Sequence, residues 1–311
     1  MANEITKLNQ IAVADLAKIN GLTEADVENL NGLEWAGDGI ANWDIYLILA
    51  DATTMMNHNG LAWSNTGHAK LYATGNYTCG VSGTTGFSSH GYISGAPTGI
   101  SEEYNGSSWS AGGTSGRARY GNRIVGTVTS ALAVGGYDGN YRNWTDEYNG
   151  STWSTGSNLP GGYQDAWHGG AGGGTSEIST VFGGYRYSGK TYEYNGSSWS
   201  TMSNFSTARQ GVTGNSVGSQ NDTVLIGGQT ASGNVNETEE YTGSSWATGG
   251  TTPVALRAVS TMGKGANSCV GIGGYTSTYV NTFYTYNGSS YSTNDVITAQ
   301  AGPALFGEYD Q

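Results

Sequence analysis

The chain has 311 residues and a formal net charge of −12 at pH 7, although only 12 % of its residues are charged. Nucleic acid is excluded as a general partner, because phosphate binding needs clustered Lys and Arg, and the chain has only 12 of these residues. A disordered chain is also excluded, because 21 tyrosines and 9 tryptophans gain too much free energy from burial to stay in water.

Residues 1–35 differ from the rest of the chain. The phrase ADLAKINGL at 14–22 is echoed by ADVENLNGL at 25–33, and Asn-Gly near the end of each phrase predicts that two short helices stop there. We interpret 1–35 as an N-terminal helical attachment segment that docks the chain onto a larger assembly. A small helical flap is the structural alternative.

No membrane or secretion signal is expected from the sequence. The start of the chain has no basic stretch followed by an apolar run, so we expect no signal peptide. No apolar run reaches the ~18 residues that span a bilayer, so we expect no membrane insertion. The apolar run IYLILA at 45–50 is short enough to be a buried strand.

A repeated phrase dominates residues 36–311. It reads YNGSSW at 104–109, and each copy ends on an aromatic residue. The six closing aromatics are between 44 and 47 residues apart, and this period indicates a tandem repeat. Asn-Gly between two β-like runs predicts a type I′ hairpin turn, which needs φ above zero at both central residues. The other copies stand at 58–63, 148–153, 194–199, 241–246 and 286–291.

Two further markers recur in a fixed order. An apolar run that ends in Gly-Gly precedes the phrase, as in LAVGGY at 132–137, and predicts a buried strand followed by a sharp turn. In the unit that ends at Trp109 this marker is reduced to SHGY at 89–92. The phrases ARY, ARQ and LRA place Arg119, Arg209 and Arg257 ten or eleven residues after the preceding Trp. Each unit therefore holds about four short strands.

The order of these markers resembles the Kelch repeat over roughly residues 40–311. A period in the forties with four strands is typical of a β-propeller. The resemblance implies an all-β fold: a six-bladed Kelch-like β-propeller with a short helical N-terminal segment. Five units are complete, and we expect the sixth blade to combine residues 36–63 with 292–311. The propeller domain at 36–311 would then be closed by pairing of its N- and C-terminal strands.

Two classes of propeller enzyme have related patterns, and neither fits the residues. The Kelch fold resembles galactose oxidase, whose copper needs converging imidazoles. The four histidines fall at unrelated repeat positions, so we interpret each as a surface or turn residue. Sialidases repeat an Asp box, but tyrosine stands at the Asp position here, for example at Tyr104. We therefore expect a non-enzymatic protein without catalytic residues, metal or cofactor. The histidines are His58, His68, His90 and His168.

The resemblance also indicates where a ligand would bind. In Kelch propellers the loop that enters the innermost strand and the loop after Gly-Gly share one face, at the mouth of the channel. Aromatic rings stack on sugars, and arginine pairs with carboxylates or holds hydroxyl groups. The structural alternative is that arginines bridge blades through backbone carbonyls and tyrosines cover the next blade. The predicted ligand-binding residues are Arg119, Tyr137, Trp144, Tyr163, Tyr185, Arg209, Arg257, Tyr275 and Gln300.

The functional hypothesis comes from the N-terminal segment. Residues 1–35 resemble the starts of tailed-phage structural proteins, in which Ile-Asn-Gly-Leu phrases such as 19–22 precede a variable domain. The resemblance implies a virion protein of tail-fibre, baseplate or capsid-surface type, present in multiple copies on the extracellular particle. It would contact other virion proteins through 1–35 and bind a host-surface glycan or another virion protein through the propeller. The alternatives are an intracellular Kelch scaffold that binds an acidic peptide and a glycan-active propeller enzyme.

Overall fold

The computed structural model describes residues 44–48, 55–58, 63–66, 77–82, 85–160, 169–184, 186–214, 219–293 and 304–308. The regular structure in these ranges consists of β-strands, so the described part of the chain is all-β. The chain divides into two units, Met1–Asn42 and Trp43–Gln311. The helices expected over 1–35 lie outside the described residues, and the expected domain boundary at residue 36 stays a prediction.

The described residues form short strands, which are numbered here in chain order. They are β1 (Asp44–Ile48), β2 (Met55–His58), β3 (Trp63–Asn65), β4 (Tyr77–Ser82), β5 (Thr85–Ile93), β6 (Ala96–Tyr104), β7 (Trp109–Ala111), β8 (Arg123–Thr127), β9 (Ser130–Val134), β10 (Thr145–Tyr148), β11 (Trp153–Thr155), β12 (Gly169–Gly174), β13 (Ser179–Gly183), β14 (Thr191–Tyr194), β15 (Trp199–Thr201), β16 (Thr223–Ile226), β17 (Gln229–Thr230), β18 (Gly233–Asn234), β19 (Glu237–Tyr241), β20 (Trp246–Thr251), β21 (Ser260–Gly265), β22 (Ser268–Ile272), β23 (Phe283–Tyr286), β24 (Tyr291–Thr293) and β25 (Ala304–Glu308).

These strands form several small antiparallel sheets. Four sheets have four sequential strands each: β4 to β7, β8 to β11, β12 to β15 and β21 to β24. Strands β16, β19 and β20 form a three-stranded sheet, and β17 and β18 form a separate ribbon. In one further sheet the order is β25-β1-β2-β3. There Asp44 pairs with Glu308 and Ile48 with Ala304, so strands from the two ends of the unit share one ladder.

The first strands of successive sheets are neighbours. Strand β4 contacts both β25 and β8, β8 contacts β12, β12 contacts β16, and β21 contacts β25. Most of the described hydrophobic clusters lie between adjacent sheets, and the cluster of Leu256, Val259 and Tyr284 lies within one. One cluster joins Val125 and Leu132 to Val181 and Tyr194 of the next sheet. The apolar runs are buried along their length, as β16 shows, which means that both faces of these strands are covered, because successive side chains point to opposite faces.

The repeated phrase forms a hairpin, but its turn is not of type I′. Gly106 has φ +95°, whereas Asn105 does not have a positive φ, so only one central residue is left-handed. The Asn105 side chain stabilises the turn, because its Oδ1 accepts hydrogen bonds from the backbone N–H groups of Ser107 and Ser108, both at 3.0 Å. Asparagine is therefore selected for its side-chain acceptor, and glycine alone supplies the unusual φ. The same contacts recur at Asn149, Asn195 and Asn287.

The tyrosine of each phrase connects its sheet to the preceding sheet. Tyr148 is buried, and its hydroxyl donates a 2.5 Å hydrogen bond to Oε1 of Glu103 on the preceding sheet. A charged acceptor makes such a bond stronger than a neutral one. The equivalent pairs are Tyr194–Glu147 (2.5 Å), Tyr241–Glu193 (2.8 Å) and Tyr286–Glu240 (2.5 Å).

The closing tryptophan makes a second connection between the same sheets. The Trp153 indole N–H donates to the Ser101 hydroxyl at 2.8 Å. Trp199 donates to Thr145 at 3.0 Å, and Trp246 donates to Thr191 at 2.8 Å. These three tryptophans therefore connect adjacent sheets.

We expect the Tyr–Glu pairs to make stability sensitive to high pH. Burial, then the hydrogen bond to glutamate, raises the pKa of Tyr148 and Tyr194 from 10.0 to about 12. A raised pKa means that the folded state holds the proton more tightly, so this stability is complete below pH 10 and falls as pH rises toward 12. Urea unfolding at pH 8 to 11.5 should show this loss.

Tyr148→Phe tests the pair directly. It should lower the free energy of unfolding at pH 8 by about 1–3 kcal/mol, because Glu103 loses its buried donor. It should also reduce the loss of stability above pH 10. Tyr279→Phe is the control, because Tyr279 is 60 % exposed. An alkaline loss of unchanged size in Tyr148→Phe would contradict the assignment.

Candidate functional site

The two kinds of loop that were expected to carry a ligand do lie together. The loop before a first strand pairs with the loop after Gly-Gly through short backbone bridges. Tyr120 and Tyr137 exchange two hydrogen bonds, of 3.0 and 2.8 Å. Gln210 with Gln229, and Arg257 with Tyr275, form the same bridge in later sheets. Side chains of both loops therefore reach the same edge of each sheet.

Two of the predicted ligand-binding arginines do not reach the surface. Arg119 and Arg209 have 0 % exposure. Arg119 donates to Asp146 at 2.5 Å and to the carbonyl oxygen of Ala133 at 3.1 Å, both in its own sheet. The prediction of a solvent-facing Arg119 or Arg209 is therefore wrong. The alternative of a bridge between blades is not what Arg119 forms either, because its guanidinium completes the polar core of one sheet.

Arg209 is held in the same way as Arg119. Its guanidinium lies 2.6 Å from Glu237 and 3.1 Å from Glu239. Glu239 is itself buried. A buried guanidinium needs such carboxylates, because an unpaired charge in the core costs several kcal/mol, on the order of 3–5.

Arg257 occupies a different place from the other two arginines. The bridges align Arg257 with Tyr120 and Gln210, which puts Leu256 at the position of the buried arginines. The next residue supports this register, because Gly121, Gly211 and Ala258 have φ of +69°, +64° and +53°. Aligning the phrases ARY, ARQ and LRA by their arginine is thus wrong by one residue. As a result Arg257 stays partly exposed.

The partner of the buried position changes with its occupant. Arg119 faces Asp146, and Arg209 faces Glu239. Leu256 instead packs with Tyr284, which holds the equivalent place in its own third strand. At this position the three sheets therefore hold either an arginine–carboxylate pair or a leucine–tyrosine pair.

Four tyrosines form a continuous aromatic row, called here the tyrosine row: Tyr92, Tyr120, Tyr137 and Tyr141. Neighbouring rings meet edge to face, with centroid distances of 5.2, 5.6 and 5.0 Å along the row. Tyr92 is 47 % exposed. Edge-to-face packing holds each ring in a fixed orientation. The row therefore offers rigid aromatic surface at the loop edge.

An arginine–tryptophan cluster lies close to the tyrosine row in sequence. The Arg142 guanidinium lies 4.4 Å from the centre of the Trp144 ring, and that of Arg117 lies 5.0 Å from it. Arg142 also pairs with Asp138 at 2.8 Å. Although burial acts against it, the hydrogen bond from Arg142 lowers the pKa of Asp138. Both arginines therefore share their charge with a ring and with a carboxylate, which is Asp138 for Arg142 and Asp146 for Arg117.

A groove of about 450 Å³ opens between the β17–β18 ribbon and the loop after β22. We call it the Arg257 groove. Arg257 donates to Oε1 of Gln229 and lies 5.0 Å above the Tyr275 ring. The Asn234 amide donates to the carbonyl oxygens of Tyr275 and Thr276, both at 2.9 Å. The side chains are thus fixed relative to one another before a ligand arrives.

The predicted residues divide into three groups. Tyr137 of the tyrosine row and Trp144 of the arginine–tryptophan cluster form the first group. Arg257 and Tyr275 line the Arg257 groove, and Arg119 and Arg209 are buried. Tyr163, Tyr185 and Gln300 lie outside the described residues. Sequence reasoning missed Tyr120, Gln229 and Asn234, although Tyr120 and Gln229 directly end two of the markers.

One histidine corrects a second expectation. His90 is completely buried and has φ +60°, because it takes the place of the first glycine of Gly-Gly. Its Nδ1 lies 2.7 Å from the Ser89 hydroxyl, and its ring meets Trp153 edge to face. Burial, then the charge of Arg119, lowers its pKa well below the usual 6.5. His90 is therefore a neutral, buried residue within β5, and the expectation of a surface or turn residue is wrong for it.

The remaining chemistry of the described residues adds few alternatives. No group of three or more His, Cys, Asp and Glu side chains suited to a metal ion occurs among them. No helix in the same ranges is long and apolar enough to cross a membrane.

No protein-family model matches this chain, and no curated protein shows significant similarity to it. The function must therefore be argued from geometry.

An exchange of core pairs tests the role of the buried arginines. Arg119→Leu should lower the free energy of unfolding by about 3 kcal/mol, because Asp146 stays buried without its main partner. Adding Asp146→Tyr recreates the Leu256–Tyr284 pair, and we expect stability to return to within about 1.5 kcal/mol of the parent chain. Urea unfolding measures both effects.

Arg142→Leu is the matched control for this exchange. Its pair with Asp138 is partly exposed, so we expect a change below about 1 kcal/mol. A double variant that is no more stable than Arg119→Leu alone would show that the two kinds of core pair are not interchangeable.

Proposed function

We propose that this chain is a six-bladed Kelch-like β-propeller that acts as a non-enzymatic binding module on a phage virion. The architecture is supported by the small sheets of sequential strands, by the succession of contacts between their first strands, and by the ladder between β25 and β1. In a ring of sheets, a last sheet that takes strands from both ends of the domain gives the two terminal strands a partner in one ladder. The absence of catalytic activity stays a prediction.

The observation that carries the binding function is the tyrosine row. Its rings lie at the end of β5 and on the loops before β8 and after β9, and loops held by rigid sheets are where binding residues commonly occur. They are fixed by edge-to-face contacts, so little side-chain entropy remains to be lost when a ligand binds. Flat aromatic surface stacks on the apolar faces of sugar rings. We therefore propose a host-surface glycan as the ligand of this surface, with another virion protein as the alternative.

The virion location rests on residues 1–35. In this proposal the segment attaches the propeller to other virion proteins, and many copies display their loop edges on the extracellular particle. The mostly neutral surface, with only 12 % charged residues, suits an exposed particle protein with a neutral or weakly charged partner. An intracellular Kelch scaffold for an acidic peptide is the second candidate, and the partly exposed Arg257 favours it.

A glycan array with paired variants tests the binding function. We expect the purified chain to bind a subset of glycans and Tyr92→Ala to weaken that binding about tenfold, since one stacked ring contributes roughly 1–1.5 kcal/mol. Ile178→Ala is the control, because Ile178 is 50 % exposed in the turn between β12 and β13, at the other end of the strands. Equal losses in both variants would exclude the tyrosine row as the binding surface.

The location is tested separately by mass spectrometry of purified particles from the source culture. Peptides of this chain should be abundant, at many copies per particle. Peptides found in the cell lysate but not in particles would overturn the virion proposal and favour the intracellular scaffold.

A further inference from the structure

We propose that the Arg257 groove is a site for a saccharide that carries a carboxylate. This inference rests on the proposed glycan-binding function and deepens it, because it names the chemical class of one ligand and a site separate from the tyrosine row. Its basis is the unusual pairing of Arg257.

Arg257 differs from the other arginines whose ion pairs are described. Arg117, Arg119, Arg142 and Arg209 each lie within 4 Å of a carboxylate. Arg257 has no carboxylate partner within the part of the chain that the structure describes. Its described partners are neutral: the Gln229 amide oxygen and the Tyr275 ring. These partners orient the guanidinium without neutralising it, so its charge remains available to an anion.

The lining of the groove is rich in donors. The Oε1 atom of Gln229 accepts hydrogen bonds from Arg257 and, at 3.2 Å, from Gln210. The Nε2 donor of Gln229 takes no part in either bond. Thr276 and Ser277 add hydroxyl groups, and no acidic residue lines the groove. In a chain of net charge −12, an acid-free groove with an oriented arginine favours a carboxylate, which the guanidinium can bind through two parallel hydrogen bonds.

The neighbouring aromatic residue selects a sugar ring over a peptide carboxylate. Tyr279 meets Tyr275 edge to face at 5.6 Å and is 60 % exposed. It offers a fixed, largely open ring next to Tyr275, the residue whose ring Arg257 covers. A saccharide with a carboxylate on its ring satisfies both features at once, because the ring stacks while the carboxylate pairs with Arg257. A groove of about 450 Å³ is within the range of small-molecule sites, roughly 300–1,000 Å³.

The experiment compares acidic saccharides with matched neutral ones. Sialylated and uronic-acid glycans are arrayed beside their desialylated or methyl-esterified counterparts and probed with the full chain. The best pair is then measured by isothermal titration. We expect the acidic member to bind at least tenfold more tightly. Arg257→Gln should abolish this preference, Arg257→Lys should keep part of it, and Tyr279→Ala should weaken both members of the pair.

Two further measurements keep the result decisive. Lys264→Gln removes an exposed positive charge elsewhere in the same sheet and should leave binding unchanged, and thermal melting confirms that each variant is folded. Neutral glycan binding that Arg257→Gln does not alter would overturn this inference and leave the proposed glycan binding intact. No binding to any saccharide would overturn both. Equal or tighter binding of a poly-glutamate peptide would overturn the saccharide assignment in favour of the acidic-peptide scaffold.

Discussion

The hydrogen bond from a buried tyrosine to a glutamate on the preceding sheet is the contact on which the architecture depends. Most of the described apolar clusters join side chains of two adjacent sheets. The Tyr–Glu bond and the adjacent indole bond fix how one sheet rests on the next. Hydrogen bonds need a defined geometry, so these contacts set the orientation of one sheet on the next and also add stability.

One hydrogen bond of the first tyrosine in the series stays within its own turn. Tyr104 donates to the carbonyl oxygen of Gly106 in its own turn, at 2.9 Å. The strand β2 carries Asn57 at the position that Glu103 holds in β6, because Asn57 pairs with Ser64 as Glu103 pairs with Ser110. The sequence therefore does not repeat the glutamate at this position of the sheet formed by β25, β1, β2 and β3.

The side chains at the loop edge depend on which residue fills the buried position before each first strand. Where an arginine fills it, the charge is neutralised inside the sheet and the next residue, Tyr120 or Gln210, faces the neighbouring loop. Where Leu256 fills it, the arginine is moved one residue on and joins the groove. One change in the core thus alters what the surface presents, so the sheets are alike in structure and different in their binding chemistry.

The sequence by itself predicted the all-β class, the buried apolar strands and the hairpins of the repeated phrase, because these depend on local patterning with a constant period. It also indicated the loops that carry Tyr137, Trp144, Arg257 and Tyr275. It did not predict which arginines are buried, since Arg119 and Arg257 stand in similar phrases, whereas the partners that hold them, Asp146 and Gln229, are distant in sequence. Burial of a charged side chain depends on whether a distant carboxylate meets it. Only the tertiary structure brings such partners together, and it alone decided the shift of one residue that exposes Arg257.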